Sequence, residues 1–425
     1  MEKLADLPNV PPALPMILDG IASSTSPTDA RRRLRAMLRD LQDQSQIFEI
    51  ENVERLKNRN PISFDVHLHG ALDLLSNVGC QRLECRFKAA DHIAQSFGLM
   101  ADRVWLTDTL SERLLGIGRA TNEKIDRIIA DVMVLARLVP LIATGIVRFR
   151  SPWVPACKDC IAEFEHRVLD SAKKVVTVFR PDIQLGRTKL GEQFVDTGQC
   201  FEPPLFFHFL SQGKRDRKTV ATNLITETIS SALWVAREAA WTGGLLASNS
   251  RVGLAGLLEQ EGRLLSRTEL LLLDREREFS IPWVNSLNAL QIVQLREEAA
   301  MALPAFREYV AKALQVSELS DLSRQSPASV IAELRQQASD VRAELKAKQK
   351  FSAKYWKVTF GVLGLGLSAY GIANDQILPG VGGILSVLQL LIGHKTSHGA
   401  DVEKLKSKPA FVMVKAQDIL AHASS

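Results

Sequence analysis

The order of apolar and polar positions along the chain predicts a mostly helical protein. In the tract 31–56, apolar side chains recur at spacings of three and four residues, which is typical of an amphipathic helix. The lead-in, 1–28, is expected to be irregular because it has four prolines between positions 8 and 15 and contains the turn-forming run SSTSPT. The helical period predicts further helices at about 71–78, 87–97, 122–144, 160–174, 219–246 and 285–314.

A smaller part of the chain predicts strands. The segment RVWLT at 103–107 is rich in β-branched and aromatic residues, and IVRFR at 146–150 alternates with period two after a helical tract. Further strands are predicted at 62–68 and 175–179. The alternation of strands and helices over about 103–179 predicts a small α/β core within a helical body that runs from 29 to 314.

A polar, serine-rich stretch at 315–328 predicts a linker after this body. The tract 329–357 then predicts a short coiled-coil-like helix with an apolar stripe at heptad spacing. Two heptads are too few to hold a dimer by themselves. The stripe is therefore expected either to pack on its own body or to support self-association through 331–345. Its members are Ile331, Leu334, Ala338, Val341 and Leu345.

The segment 358–393 has the most distinctive pattern. Its two halves, 358–373 and 377–393, contain no charged residue, and the polar turn Asn374–Gln376 separates them. This predicts an apolar helical hairpin, followed by a C-terminal tail at 394–425. The predicted fold class is thus mostly α with a small α/β element: a helical body, a coiled-coil-like helix and a C-terminal apolar hairpin.

Each half of the predicted hairpin has one stripe of small or polar residues. Such stripes let two helices approach closely within a bilayer and supply interhelical hydrogen bonds. In water the glycines would each weaken a helix by about 1 kcal/mol relative to alanine. The stripe residues are Gly361, Gly364, Ser368 and Gly371 in the first half, and Gly382, Ser386, Gln389 and Gly393 in the second.

The residues around the hairpin predict its orientation. Five lysines lie between 346 and 357 and further basic residues follow 393, while the turn has only Asp375. Because basic flanks stay on the cytoplasmic side, both ends are expected at the cytoplasmic face of a membrane. Residues 1–20 show no apolar signal segment, so no secretion signal is expected. The alternative is a hairpin in the core of a soluble domain or oligomer, since each half is short for a hydrocarbon core of about 30 Å.

Cys157 and Cys160 form a C-x-x-C motif between a predicted strand and a predicted helix. This arrangement over 146–178 resembles the thioredoxin-like redox motif, and the resemblance implies a reactive thiol at a helix N-terminus. The chain departs from that family because Trp153 is four residues from the first cysteine, where the family has a tryptophan directly beside it. No proline can be assigned the role of the family's downstream cis-proline.

Zinc binding is a second interpretation of the cysteines. Cys80 and Cys85 could join Cys157 and Cys160 to supply the four thiolates of a closed structural zinc site, with His67 and His69 as alternative ligands. A third interpretation is that both cysteine pairs are buried and inert. The sequence leaves the three interpretations open.

An enzymatic interpretation centres on Asp108. This residue directly follows the strand at 103–107, where an α/β fold places metal-binding or catalytic carboxylates. Asp131, Glu163 and Glu165 are the nearest acidic residues that could converge on it, although each is also explained as a solvated helix residue. Motifs for a P-loop, a serine-hydrolase elbow and a zincin helix do not occur.

Composition limits the functional classes. Hydrophobic residues make up 46% and charged residues 24%, which excludes a disordered or collagen-like chain. The net charge of +5 is spread thinly, so nucleic acid is not favoured as a partner. The leading prediction is a non-enzymatic protein whose body is anchored to membrane lipid by the hairpin. The alternative is a soluble metal-dependent hydrolase or nuclease-like enzyme using Asp108, or a thiol redox protein using Cys157 and Cys160. No cofactor other than zinc is predicted.

Overall fold

The computed structural model describes most of the chain outside the predicted hairpin. The described residues are 9–55, 65–76, 80–151, 157–187, 193–201, 206–209, 216–242, 244–260, 284–314, 327–350 and 403–423, with positions 4, 7 and 189. The chain divides into two compact units: Met1–Arg275 with Asn288–Leu290, and Glu276–Leu287 with Gln291–Ser425.

The first unit contains a parallel sheet, an antiparallel sheet and most of the helices. Its helices are α1 (Ala13–Ala22), α2 (Pro27–Ala36), α3 (Leu38–Arg55), α4 (Leu83–Gln95), α5 (Phe97–Met100), α6 (Thr109–Leu115), α7 (Asn122–Ala136), α8 (Val139–Ala143), α9 (Lys158–Phe179), α10 (Arg217–Thr242) and α11 (Arg251–Gln260). Its strands are β1 (Asp65–His69), β2 (Arg103–Thr107), β3 (Val147–Arg150), β4 (Gln184–Arg187), β5 (Gln193–Asp196), β6 (Phe206–Phe209) and β7 (Leu245–Ser248). The fold class is thus mostly α with an α/β element, as predicted.

The parallel sheet has four strands in the order β3-β2-β1-β7. His67 pairs with Trp105 of β2 on one side and with Leu246 of β7 on the other, so β1 lies between these two strands. On the outer side of β2, Thr107 pairs with Arg150. Because all four strands are parallel, their carboxyl ends lie along one edge of the sheet.

The two faces of this sheet differ in chemistry. Since side chains alternate along a strand, one face has only apolar residues and the other carries most of the polar ones. The apolar face is buried and consists of Val66, Leu68, Val104, Leu106, Val147 and Phe149. The opposite face carries Asp65, His67, His69, Arg103, Trp105, Thr107, Arg148 and Arg150. Helix α10 packs on β1 and β7.

The N-terminal lead-in is more ordered than the sequence prediction of 1–28 stated. Residues Ala13–Ala22 form α1, and Pro12 is its N-cap while Pro15 lies in its first turn. The missing N–H of a proline is harmless at those positions, because the first turn of a helix has no intrahelical acceptor for it. The prediction treated the prolines as helix breakers when they mark a helix start.

Three other segment predictions are corrected. The predicted strand 175–179 is the last turn of α9, and the predicted helix at 71–78 begins as a short 3₁₀ turn, Gly70–Leu72, with turns through 76. The predicted helix 219–246 ends at Thr242, and β7 follows it. Short apolar runs are compatible with strands and with buried helices, so periodicity alone does not separate them.

The antiparallel sheet was not predicted. Its strands have the order β4-β5-β6, and Gly186 of β4 pairs with Phe194 of β5. A Cβ atom at position 186 would overlap the ring of Phe194, so the ring packs here over a glycine and would have to shift for any other residue. The strands are four residues long and carry little alternation, which is why the sequence pattern gives no signal for them.

The second unit is helical in its described residues. It contains α12 (Ala289–Glu298, whose first two residues belong to the first unit), α13 (Leu303–Leu314), α14 (Pro327–Lys350) and α15 (Phe411–Ala423). Leu334, Ala338 and Val341 are buried, and α14 packs on α15 and α13. These contacts bury the stripe within the second unit, and self-association through 331–345 stays a prediction. Helix α14 begins at Pro327, just inside the predicted linker.

The predicted hairpin, 358–393, lies outside the described residues. Among those that are described, no helix is both long enough and apolar enough to cross a bilayer. The membrane prediction and its eight stripe residues therefore stay predictions.

A buried ion triad joins three helices of the first unit. Asp131 of α7 is fully buried, and its Oδ1 lies 2.6 Å from Arg86 Nη2 on α4. Its Oδ2 pairs with Arg113 of α6. The two arginines also donate to the carbonyl oxygens of Leu74 and Leu75, which ties the turn after β1 to the helices.

Replacing Asp131 by alanine is expected to lower the free energy of unfolding by about 3–5 kcal/mol, because it leaves two buried guanidinium groups without a counter-charge. Urea unfolding of the full chain followed by circular dichroism measures this loss. Asp126→Ala is the matched control, since Asp126 is 45% exposed and pairs with the half-exposed Arg31. It should cost less than about 1 kcal/mol. Equal, small losses would contradict the structural role of the triad.

Candidate functional site

The carboxyl edge of the parallel sheet gathers polar residues from every strand. In open α/β sheets this edge is where ligands bind, at the point where the strand order reverses. Here the order reverses between β1 and β7. The residues that follow the strands at this edge are Gly70 to Asp73, Asp108, Ser151 and Asn249 to Arg251.

Arg150, the last residue of β3, is the central group of this edge. Its side chain is 2% exposed, and its Nε lies 3.0 Å from Glu238 Oε2 of α10. Its Nη2 donates to Leu68 O at 2.7 Å and to Thr107 Oγ1 at 2.9 Å. Its Nη1 lies 3.3 Å from Trp105 O. One guanidinium therefore links β3 to β2, β1 and α10.

The charge of Arg150 is balanced by two buried carboxylates. Besides Glu238, Asp73 Oδ2 lies 3.5 Å from Arg150 Nη2 and accepts a hydrogen bond from Thr107 N at 3.0 Å. Burial raises the pKa of Asp73, and the charge of Arg150 only partly opposes this. Because every nitrogen of Arg150 already has a protein partner, the guanidinium has little capacity left for an anionic ligand.

An aromatic layer lies beside Arg150 on the same face of the sheet. The rings of His67 and Trp105 are stacked, with centroids 5.7 Å apart. Trp105 Nε1 donates to Asp65 Oδ2 at 2.9 Å, and Arg150 Nη1 lies 3.3 Å from His67 Nδ1. These contacts satisfy polar groups inside the fold and give His67 a packing role, while its role as an alternative zinc ligand stays a prediction.

His69 is a buried, neutral histidine. Its Nδ1 lies 2.8 Å from Ser248 Oγ at the end of β7. Burial, together with the positive charge of Arg150, lowers the pKa of His69 to about 4. His67 and His69 share one side of β1, because the strand extends to His69 and side chains alternate along it.

The switch point between β1 and β7 is filled by protein. Asn249 Oδ1 accepts a hydrogen bond from Ala71 N at 2.8 Å. Gly70 has φ +71°, and a Cβ there would lie 2.6 Å from Asn249 Oδ1. Only glycine suits both the left-handed backbone and this close approach. The usual ligand crevice of such a sheet is therefore closed at this point.

An open cavity lies next to it, at the ends of β2 and β3. Its volume is about 620 Å³, within the range of small-molecule sites. Helices α9 and α10 form its walls, and residues at the ends of β2 and β3 form its floor. The lining consists of Thr107, Arg150, Ser151, Phe164, Glu165, Val168, Leu169, Thr226, Glu227, Ser230, Ser231, Trp234, Val235 and Glu238.

The cavity combines an apolar wall with an acidic rim. Phe164 and Trp234 pack against each other with ring centroids 4.1 Å apart. Glu165 and Glu227 are exposed at the rim, whereas Glu238 is buried and paired with Arg150. The lining therefore has three carboxylates and one guanidinium. The excess of negative charge favours a cationic ligand.

The structure places Cys157 and Cys160 at the N-terminus of α9. Cys157 is the N-cap, and its Sγ accepts a hydrogen bond from Cys160 N at 3.4 Å. Both thiols are exposed. Hydrogen bonds from the backbone and thiol of Cys160 lower the pKa of Cys157, whereas the pKa of Cys160 is raised by its neighbour.

The two cysteine pairs do not form one metal site in the described residues. Cys80 and Cys85 are also exposed, and a hydrogen bond that the Cys85 thiol donates to Cys80 raises the pKa of Cys85. Within the part of the chain that the structure describes, no three histidine, cysteine or acidic side chains are grouped to hold a metal ion. Zinc stays an untested prediction. The expectation of two buried pairs is wrong, since all four thiols face solvent at helix starts.

The acidic residues named around Asp108 have separate locations. Asp108 is fully buried and caps α6, where its Oδ1 accepts from Ser111 N at 3.0 Å. Asp131 belongs to the ion triad. Glu163 and Glu165 are exposed on α9, and Glu165 lines the 620 Å³ cavity. The contacts of Asp108 and Asp131 thus describe structural roles.

No family model, curated protein or solved structure matches the chain, so the argument for function rests on its own residues.

The depressed pKa of His69 predicts a pH dependence of stability. In the unfolded chain His69 binds a proton near pH 6.5, whereas in the folded chain it does so only near pH 4. The free energy of unfolding is therefore at its full value above pH 6.5 and decreases as the pH falls towards 4. Over this window the loss is about 3 kcal/mol, at about 1.4 kcal/mol per pKa unit.

His69→Gln should flatten the pH dependence of the urea midpoint between pH 4 and pH 6.5, because glutamine can keep a hydrogen bond to Ser248 but does not titrate. A slope that persists in His69→Gln would place the titrating group elsewhere.

Proposed function

We propose that the first unit binds a small molecule with one cationic group and one apolar group. The observation that carries this proposal is the 620 Å³ cavity at the carboxyl edge of the parallel sheet, with its acidic rim and aromatic wall. Ligand sites of α/β folds lie at the carboxyl edge of the sheet, and this cavity lies at that edge, at the ends of β2 and β3 and not at the closed switch point between β1 and β7.

The charges around the cavity differ in whether the protein already pairs them. Arg150 is held by Glu238, Asp73 and carbonyl oxygens, so its charge is compensated within the protein. Glu165 and Glu227 lie at the solvent-facing rim, where they can meet an ammonium group without being desolvated first. Trp234 offers an apolar and π-electron surface to the remainder of the ligand.

Three matched probes test this preference: 4-phenylbutylamine, 4-phenylbutanol and 4-phenylbutyrate differ mainly in the charge of one end. Isothermal titration calorimetry with the full chain should rank the affinities in that order. The amine should bind about 2- to 10-fold more tightly than the alcohol, because exposed ion pairs contribute about 0.2–1 kcal/mol each. Equal binding of all three, or tighter binding of the carboxylate, would contradict a cationic ligand.

Two variants locate the binding. Ser230→Phe fills the cavity and should abolish amine binding, whereas Asn223→Phe adds the same ring at an exposed position of α10 that does not line the cavity. Glu227→Gln should weaken the amine about 2- to 5-fold and leave the alcohol unchanged. Glu123→Gln, at an exposed carboxylate outside the cavity, is its charge control. Unchanged binding in Ser230→Phe would place the site elsewhere.

For the C-terminal part we propose attachment to the cytoplasmic face of a membrane through 358–393. The sequence observation that favours it is the pair of uncharged segments with small-residue stripes, flanked by lysines. Attachment would hold the binding unit near the membrane without requiring catalysis by the chain.

Membrane fractionation with alkaline extraction compares the full chain with a variant that lacks 358–393. The full chain should stay with the membrane and the deletion variant should be released. Gly364→Leu and Gly382→Leu should weaken retention if the stripes pair the two helices. Release of the full chain would favour the alternative, a hairpin within a protein core or an oligomer interface.

A further inference from the structure

The two exposed thiols at the start of α9 are arranged unequally. Cys157 Sγ accepts from the backbone N–H of Cys160, and the side chains of the two cysteines also hydrogen-bond to each other. A sulfur that accepts two hydrogen bonds is better suited to carry negative charge than a sulfur that donates one. Cys157 is therefore the nucleophile of the pair, and Cys160 is placed to attack it in a second step.

The helix reinforces this asymmetry. Helix α9 has 22 residues, and Cys157 is its N-cap, where free N–H groups and the helix dipole stabilise a thiolate. Hydrogen bonds from the backbone N–H and the thiol of Cys160 lower the pKa of Cys157, and the contact with Cys157 raises the pKa of Cys160. A thiol with a pKa closer to the ambient pH is the faster attacking group in thiol–disulfide exchange.

A second cavity opens beside Cys160. Its volume is about 390 Å³, and two arginines, Arg167 and Arg237, face one carboxylate, Glu163, around it. The remaining lining residues are Phe164, Leu233 and Gln260. This excess of positive charge next to a thiol pair fits a small disulfide that carries carboxylate groups.

We propose that Cys157 and Cys160 form a reversible dithiol–disulfide couple that exchanges with a small carboxylate-bearing disulfide bound at this second cavity. The site adjoins the larger cavity between α9 and α10 through Phe164, which lines both, and it does not depend on the ligand proposed there.

The reaction has two balanced steps. The Cys157 thiolate attacks one sulfur of the small disulfide, which forms a mixed disulfide on Cys157 and releases one thiolate. Cys160 then loses its proton to solvent and attacks Cys157 Sγ, which forms the Cys157–Cys160 disulfide and releases the second thiolate. The two cysteines lose two electrons together, and the small disulfide is reduced to two thiols.

The chain contains its own comparison pair. Cys80 and Cys85 are exposed and hydrogen-bonded as well, but the hydrogen bond to Cys80 outweighs the nearby cations Arg82 and Lys88, so the pKa of Cys85 is raised. Cys200 is fully buried. If accessibility alone controlled reactivity, both exposed pairs would react equally. If the helix N-cap geometry controls it, Cys157 reacts first.

The test uses the reduced full chain, glutathione disulfide as the probe, and mass spectrometry after alkylation of the remaining thiols. At pH 7 the 157–160 disulfide should form about 3- to 10-fold faster than any disulfide between Cys80 and Cys85. Cys160→Ser should trap a mixed disulfide on Cys157, and Cys157→Ser should remove the fast phase. Equal rates for the two pairs, or a fast phase that survives in Cys157→Ser, overturn the proposal.

The charge preference is tested separately. Arg167→Gln should slow the reaction with glutathione disulfide about 2- to 5-fold and leave hydroxyethyl disulfide, a neutral probe, unaffected. Lys173→Gln, at an exposed lysine farther along α9 that does not line the cavity, is the matched control. Equal slowing with both probes, or none with either, would remove the second cavity from the proposal. Zinc that copurifies with the thiols and blocks oxidation would overturn the redox assignment in favour of a metal site.

Discussion

The buried guanidinium of Arg150 is the constraint on which the carboxyl edge of the parallel sheet depends. A charge removed from water is tolerated only where counter-charges and hydrogen-bond acceptors replace the water. Arg150 finds them on three other elements: carbonyl oxygens on β1 and β2, Asp73 after β1, and Glu238 on α10. Helix α10 must therefore cover the polar face of the sheet with Glu238 at the end of β3. A purely apolar contact at this position would be compatible with many rotations and shifts of α10 on the sheet. An ion pair with one guanidinium is compatible with few.

This constraint also determines the chemistry of the larger cavity. The floor contains a strong positive charge, yet that charge is compensated from inside the protein, so it does not define the ligand. Two carboxylates at the rim, Glu165 of α9 and Glu227 of α10, therefore determine the sign of the electrostatic potential at the ligand. The same reasoning gives the smaller cavity the opposite preference, since Arg167 and Arg237 outnumber Glu163 there. Two neighbouring cavities in one unit thus favour ligands of opposite charge.

The sequence predicted the elements whose signals are local. Strands β2 and β3 and the helix behind the C-x-x-C motif have clear periodicity, and the cysteines fall at the helix start where they were expected. Strand β7 was missed because Leu245–Ser248 continues the apolar run of α10 after a pair of glycines. The roles of Arg150 and Glu238 could not be predicted, since the partners lie 88 positions apart and each is an ordinary charged residue in its own segment. The alternating arginines of IVRFR, together with the alternating polar residues of DVHLH in β1, were the local signals that one face of the sheet is polar.

Helix α9 connects the two proposed sites through one side chain. Phe164 borders both cavities, lies four residues after Cys160 on the same helix, and packs against Trp234 of α10. A ligand in the larger cavity that displaces Phe164 changes the wall of the smaller one, and a disulfide at the helix start constrains the turn that carries Phe164. If formation of the disulfide changes the ligand affinity by some factor, thermodynamic linkage requires ligand binding to change the dithiol–disulfide equilibrium constant by the same factor. The size of that factor depends on whether Phe164 has a second rotamer within reach, because a side chain with only one packed arrangement transmits no coupling.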